Sequence, residues 1–264
     1  GLLAHVHHEA LTNPRIGEIL STIDVSTLSD EQKANLFEIK RDYDRAVNVP
    51  SSLAREFAQT TAVAYGVWKK ARAANDFSMF APHLSKIIEL SKKQAAAIDP
   101  SKDAYQVLFE GYESDMSVDV VRDIFSKVRD AIVPMLKKIN DERDISIFNA
   151  PVDVDVQKKL VEDLAKAIGY DFSKGRLDVT AHPFCAAYGR ICTRYDTGWV
   201  HAITGTIHEA GHGMYEHNLK DEFVGTPLGE YRSLSVHESQ SRFWENNIGK
   251  SSEFWDCFYD DMQE

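Results

Sequence analysis

The stretch Thr206-Ile207-His208-Glu209-Ala210-Gly211-His212-Gly213-Met214-Tyr215 constrains this 264-residue chain more than any other. Its centre is His-Glu-x-x-His. On an α-helix, residues i and i+4 lie one above the other on one face, so His208 and His212 can aim two imidazoles at one point. Glu209 is one residue round from His208, within reach of a water at that point without being a ligand itself. Two neutral imidazoles and an adjacent carboxylate form the arrangement of a zinc-peptidase site, with Glu209 as general base. Ile203, Ile207, Met214 and Tyr215 flank the motif at helical spacing, so the helix has a face it can bury. Gly211 and Gly213 interrupt it at about 1 kcal/mol each relative to Ala, which predicts that a backbone or a substrate passes very close there.

A catalytic zinc needs a third protein ligand and an open position for water. The metzincin pattern would place a ligand at position 218 and a glycine at 215, but Asn218 and Tyr215 stand there. His217, five residues after His212, points to another side of the helix. That leaves a carboxylate from a second element. Glu238, in the amphipathic run Ser235-Val236-His237-Glu238-Ser239-Gln240-Ser241-Arg242-Phe243-Trp244-Glu245, is favoured. Asp221, Glu222 and Glu230 are rivals in or near a loop around Gly225, Pro227 and Gly229, where carboxylates are usually solvated.

These residues resemble the carboxypeptidase Taq family of metallocarboxypeptidases. That family carries His-Glu-x-x-His on one helix and His-Glu-Ser-x-x-x-Arg on the next, and the resemblance implies that Glu238 is the third ligand. An upstream His-Pro-Phe motif is matched by His182-Pro183-Phe184. A further family motif, Asp-x-Arg-x-Thr followed by Thr-Arg-Tyr, is matched in part by Tyr188-Gly189-Arg190-Ile191-Cys192-Thr193-Arg194-Tyr195. Tyr188 and Cys192 depart from it, while Arg190, Arg194 and Tyr195 align. The implied activity is metal-dependent removal of C-terminal amino acids, with one zinc or cobalt ion and a peptide with a free C-terminus as substrate. His182, Arg190, Arg194 and His237 are the candidate substrate-binding residues. His-Glu-x-x-His chemistry by itself does not select exo- over endopeptidase; an aminopeptidase, an endopeptidase or a catalytically incomplete helical fragment remain the alternatives. The resemblance also implies a homodimer, and a chain truncated at both ends. It implies that a Trp-Asp and Met-Pro signature lies upstream, and that the other wall of the groove, with an Arg and a Tyr for the substrate's carboxylate, lies beyond Glu264.

Composition narrows the partners. With 41 acidic against 30 basic residues the net charge is −11, which argues against nucleic acid and anionic membranes. No apolar run reaches the eighteen or so residues that span a bilayer. Cys185, Cys192 and Cys257 are odd in number and form no Cys-x-x-Cys, so a reducing, cytoplasmic setting is expected.

Most of the chain reads as helix, making the fold class mainly α with a small antiparallel sheet beside the metal helix. His5, His8 and Glu9 share a face of an opening helix, where the expected state is simply solvated. Ser29-Asp30 caps a helix to about Val47, and Ser51-Ser52 starts another ending near Asn75. Others run from about Phe80 to Ile98, from Asp103 to Tyr112 and from Asp153 or Asp155 to Ile168, the last stopped by Gly169. A long helix from Ser117 carries Val121, Ile124, Phe125, Val128, Ile132, Leu136 and Ile139 on one stripe. That stripe is read as core, with a kink at Pro134. Residues 176–181 and 190–195 read as short strands, with a turn near Tyr188-Gly189. The expected organisation is one metallopeptidase domain, helical over 1–169, with the sheet in 170–198 and the metal-site helices in 199–264.

Overall fold

The structure, a computed structural model, describes residues 2–139, 146–195 and 198–263. It falls into two compact units: residues 1–127 with 226–228, and 128–225 with 229–264.

The first unit is built from helices α1 (Leu2–Leu11), α2 (Pro14–Thr22), α3 (Asp30–Val47), α4 (Ser51–Ala74), α5 (Ala81–Ile98) and α6 (Ala104–Phe109). Ser29 caps α3 as expected, and α6 begins at the expected Asp103. Ser29 forms a capping box with Gln32, and Asp103 accepts from the amides of Tyr105 and Gln106, so first-turn N–H groups that have no partner inside the helix are satisfied. Asn75 in the left-handed region ends α4. Leu90, Ala95, Val107 and Ala71 are buried. Arg45 donates to the Val107 carbonyl at 2.8 Å, tying α3 to α6.

Helix α7 (Val118–Leu136) continues two residues past Pro134. Its stripe is not core. Ile124, Phe125, Val128, Ile132 and Leu136 are all exposed, as is Ile139 beyond the helix end. Periodicity records that one face is apolar; it carries no information about what covers that face.

The second unit holds the candidate site. Helix α8 (Val154–Ala167) is capped by Asp153 and ends in a Schellman turn at Gly169. Gly169, at φ +105°, sends its N–H to Lys166 O, while Tyr170 N–H reaches Ala165 O at 2.9 Å. Tyr170, 3% exposed, then donates its hydroxyl to Gly189 O at 2.7 Å and anchors the turn between two strands. The sheet has three strands, β1 (Leu177–Val179), β2 (Phe184–Ala186) and β3 (Arg190–Thr193), in the order β1-β3-β2. It is mixed: β1 pairs with β3 in parallel and β2 with β3 antiparallel, which corrects the expectation of an all-antiparallel sheet. Two strands were legible in the sequence. The third, β2, was missed because three residues after a proline are too few to show alternation. Asp196 and Thr197, within the expected sheet region, lie outside the described residues.

Helix α9 (Trp199–His217) is central to this unit and packs on α8, on β3 and on α10 (Leu234–Arg242). A π-helical turn, Phe243–Ile248, follows α10, and α11 (Ser252–Gln263) closes the described chain. Val161, Leu164, Ala202, Ile203, Ile207 and Phe254 form one buried cluster. Ala165, Tyr170, Ile191 and Ala210 form a second. Buried Thr206 donates to Thr193 Oγ1 at 3.1 Å, pinning α9 to β3 without leaving either hydroxyl unpaired.

Candidate metal centre

The two glycines of α9 explain how two helices come close enough to share a centre. A Cβ on Gly211 would stand 2.8 Å from Ser241 Cα and 2.9 Å from Gln240 O, so α10 lies against bare α9 backbone. On the other side, a Cβ on Gly213 would stand 2.6 Å from the Tyr170 ring. The predicted close approach is made by protein on both faces.

That contact brings Glu238 over His208 and His212. Glu238 Oε2 lies 3.2 Å from His212 Nε2 and 3.6 Å from His208 Nε2. Ligand atoms about 2.0–2.1 Å from a tetrahedral zinc stand about 3.3 Å apart, so these two separations fit a single cation. Among the described residues, His208, His212 and Glu238 are the group of His, Cys, Asp or Glu side chains whose donor atoms converge, all within 4.8 Å. The rivals Asp221, Glu222 and Glu230 do not join it. His217 does not either: its ring lies 5.1 Å from that of Tyr170.

Each imidazole is held from behind. His208 Nδ1 meets Glu245 Oε2 at 2.9 Å, and His212 Nδ1 meets His237 Nδ1 at 2.5 Å. Both Nε2 atoms are therefore left facing Glu238. Glu238 is held in turn by Arg242, whose Nε donates to Oε1 at 2.7 Å, and by Ser241, whose hydroxyl donates at 3.1 Å to Oε2, the oxygen that faces the two rings. Glu245 has no assigned role in the sequence motif. It stands two helical turns beyond Glu238 on the same face, which was the available signal.

The electrostatics match a metal-type centre. Burial, then the neighbouring His237 and His208, pushes His212 down to about 4, keeping it neutral at physiological pH, as a ligand must be. Partial burial opposes ionisation of Glu238, but the Arg242 hydrogen bond and His208 hold it below the ordinary carboxylate range. Glu209 behaves oppositely. It is 6% exposed, its Oε2 has no hydrogen-bond partner, and burial with repulsion from Glu238 and Glu245 pushes it up to about 8. A carboxyl poised near neutrality beside a convergent donor set suits proton transfer.

The centre opens into a cavity of about 1160 Å³ lined by residues of the second unit. Its lining combines His208, Glu209, His212 and Glu238 with the whole of β2, His182 and Tyr188. Among the described residues, strand β2 is an edge of the sheet, paired with β3 alone. Of the four candidate substrate-binding residues, His182 and His237 line the cavity. His237 is buried, with both ring nitrogens engaged by His212 and by Glu216. Arg190 and Arg194 are not among the lining residues; Arg190 is exposed at the start of β3.

Fold and centre together define a mainly helical protein with a two-imidazole, one-carboxylate cluster of the kind that binds a divalent metal. The chain belongs to the carboxypeptidase Taq (M32) metallopeptidase family, whose pattern matches residues 1–264. It is 37% identical to Thermostable carboxypeptidase 1 of Thermus thermophilus, over 97% of this chain and 54% of that protein. It is 32% identical to Carboxypeptidase 1 of Bacillus subtilis, over 96% of this chain and 52% of that one. Among solved structures, the M32 carboxypeptidase of Deinococcus radiodurans superposes with a TM-score of 0.85 at 33% identity, over 99% of this chain and 54% of its own. Pyrococcus furiosus carboxypeptidase gives 0.87 at 31%, over 100% and 55%. The chain therefore spans about half the length of these relatives. Among its described residues, no helix is long and apolar enough to cross a membrane.

Proposed function

We propose that residues 1–264 form a metallopeptidase domain that carries the metal centre of a carboxypeptidase. The observation that supports this most directly is the convergence of His208 Nε2, His212 Nε2 and Glu238 Oε2, with both Nδ1 atoms occupied from behind. Zinc or cobalt, held there, would lower the pKa of a water towards about 7 and polarise the scissile carbonyl. Glu209 is the general base: it takes the proton of the attacking water and hands it to the leaving amine. The open edge of β2 accepts the substrate backbone by strand addition and so aligns the peptide along the cavity wall. His182, which lines the same cavity, contacts the substrate.

The choice of a carboxypeptidase over an aminopeptidase or an endopeptidase is supported by the family and by its named relatives. We infer a homodimeric full-length enzyme from the family resemblance alone. A cytoplasmic setting is supported by the three unpaired cysteines, and the net charge of −11 disfavours nucleic acid and membranes as partners.

A mass-spectrometric ladder tests the reading. The chain, loaded with zinc or cobalt, is incubated with an unblocked peptide and with its C-terminally amidated and N-terminally acetylated forms. Stepwise shortening from a free C-terminus, abolished by amidation only, is the expected result. Shortening from the N-terminus or internal cleavage refutes the exopeptidase direction. Cleavage that begins only when the chain is extended to its relatives' length assigns part of the machinery to that extension.

A further inference from the structure

Glu216 enters none of the chemistry above, yet it ends a chain of contacts that leads into the centre. His237 Nε2 lies 3.0 Å from Glu216 Oε1, and His237 Nδ1 lies 2.5 Å from His212 Nδ1. The His237 and Glu216 side chains are only 9% and 11% exposed. Tyr215 and Tyr231 meet the His237 ring edge-on, with centroids 4.9 and 4.8 Å away, which fixes its plane. Glu216 follows His212 by one helical turn on α9, while His237 is supplied by α10. The ring is seated between them because Gly211 admits the α10 backbone.

We propose that Glu216 is a positioning residue for the ligand His212, acting through His237 by dictating which ring nitrogens carry protons. Two ring nitrogens 2.5 Å apart hold one proton between them. For His212 to offer a bare Nε2 to a cation, its own proton must sit on Nδ1 and be donated to His237. His237 Nδ1 is then the acceptor, so the proton of His237 sits on Nε2 and is donated to Glu216. An ionised carboxylate has only acceptors, and this fixes the direction of both hydrogen bonds. His208 receives the same instruction directly from Glu245. The two imidazoles are thus supported unequally, one by a carboxylate and the other by a carboxylate acting through a second ring. A partner behind a metal-bound histidine typically changes affinity about 10–100-fold.

This inference rests on the reading of His208, His212 and Glu238 as metal ligands, and its test separates the two. Zinc affinity is measured by chelator competition, and imidazole tautomers by two-bond nitrogen–proton correlation in chain labelled at histidine. Zinc affinity that is absent in the parent, or unchanged in His212→Ala, overturns the ligand reading itself. With that reading intact, Glu216→Gln is expected to weaken zinc about 10–100-fold, because an amide can also donate and so releases the direction of the relay. His237→Leu should weaken it at least as much. His237→Gln, able to accept from His212 and donate to Glu216, should restore most of the affinity, whereas a merely space-filling role would not distinguish Gln from Leu. In the parent chain, His237 should carry its proton on Nε2 and His212 on Nδ1. Unchanged affinity in Glu216→Gln, or a parent His237 protonated on Nδ1, overturns the proposal; the latter needs no variant to fold.

Discussion

Replacing Glu209 by Gln should abolish hydrolysis while leaving zinc bound, and should raise the stability of the metal-free chain relative to the parent as the pH rises. The second outcome follows from burial. Glu209 is 6% exposed, Oε2 is unpartnered, and its pKa stands at about 8 against an ordinary 4.5. Between those values the unfolded carboxyl is ionised while the folded one keeps its proton. The folded state then binds more protons than the unfolded state, so stability is fully present below the unfolded value. It falls as the pH climbs towards the folded one. At about 1.4 kcal/mol per pH unit, the whole interval sets a ceiling of about 5 kcal/mol. Reorganisation and entry of water reduce that, to about 2–4 kcal/mol. Gln removes the titration but leaves an amide seeking partners in a buried site, costing about 1–3 kcal/mol at every pH. The slope is therefore diagnostic and the intercept is not. The assay is thermal unfolding of parent and variant with chelator present, at pH 5 and pH 8.5. At about 2–4 °C per kcal/mol, the variant's Tm relative to the parent should rise by roughly 5–15 °C between the two. With zinc bound the slope should vanish, since the cation favours the ionised carboxylate. A Tm difference that stays constant across pH in the metal-free chain refutes the claim that Glu209 is held neutral by its surroundings.

Two substitutions test the architecture that assembles the centre. Gly211→Ala places a Cβ 2.8 Å from Ser241 Cα, where backbone must move, so α10 is pushed off α9. Both stability, by about 1–3 kcal/mol, and zinc affinity should fall, as read by unfolding and chelator competition. Tyr170→Phe removes the hydroxyl that reaches Gly189 O at 2.7 Å and Arg176 O at 3.2 Å. It should cost about 1–3 kcal/mol in denaturant unfolding and leave zinc affinity within a few-fold of the parent, since the Nε2 atoms and Glu238 are untouched.

Much of this protein was legible in the residues themselves, wherever the physics is local. Helix starts at Ser29, Asp103 and Asp153 follow from side chains that satisfy first-turn amides. The stop at Gly169 follows from the left-handed conformation that glycine adopts without strain. The pairing of His208 with His212 follows from helical periodicity alone, and so does the claim that something passes close to Gly211 and Gly213.

What only the tertiary structure decided is everything that depends on a neighbour distant in sequence. The parallel pairing of β1 with β3 has no local signature, because register and direction are set by which edges the turns and Tyr170 bring together. The apolar stripe of α7 declares a face and nothing about its cover. Glu245 and Glu216 were ordinary helix-face carboxylates until folding set one behind His208 and the other behind His237. Burial of Glu209 likewise turns a common residue into a carboxyl that titrates near neutrality. Periodicity determines which side chains share a face. Only packing determines the partners and the dielectric that the face meets, and these set proton positions, charge and reactivity.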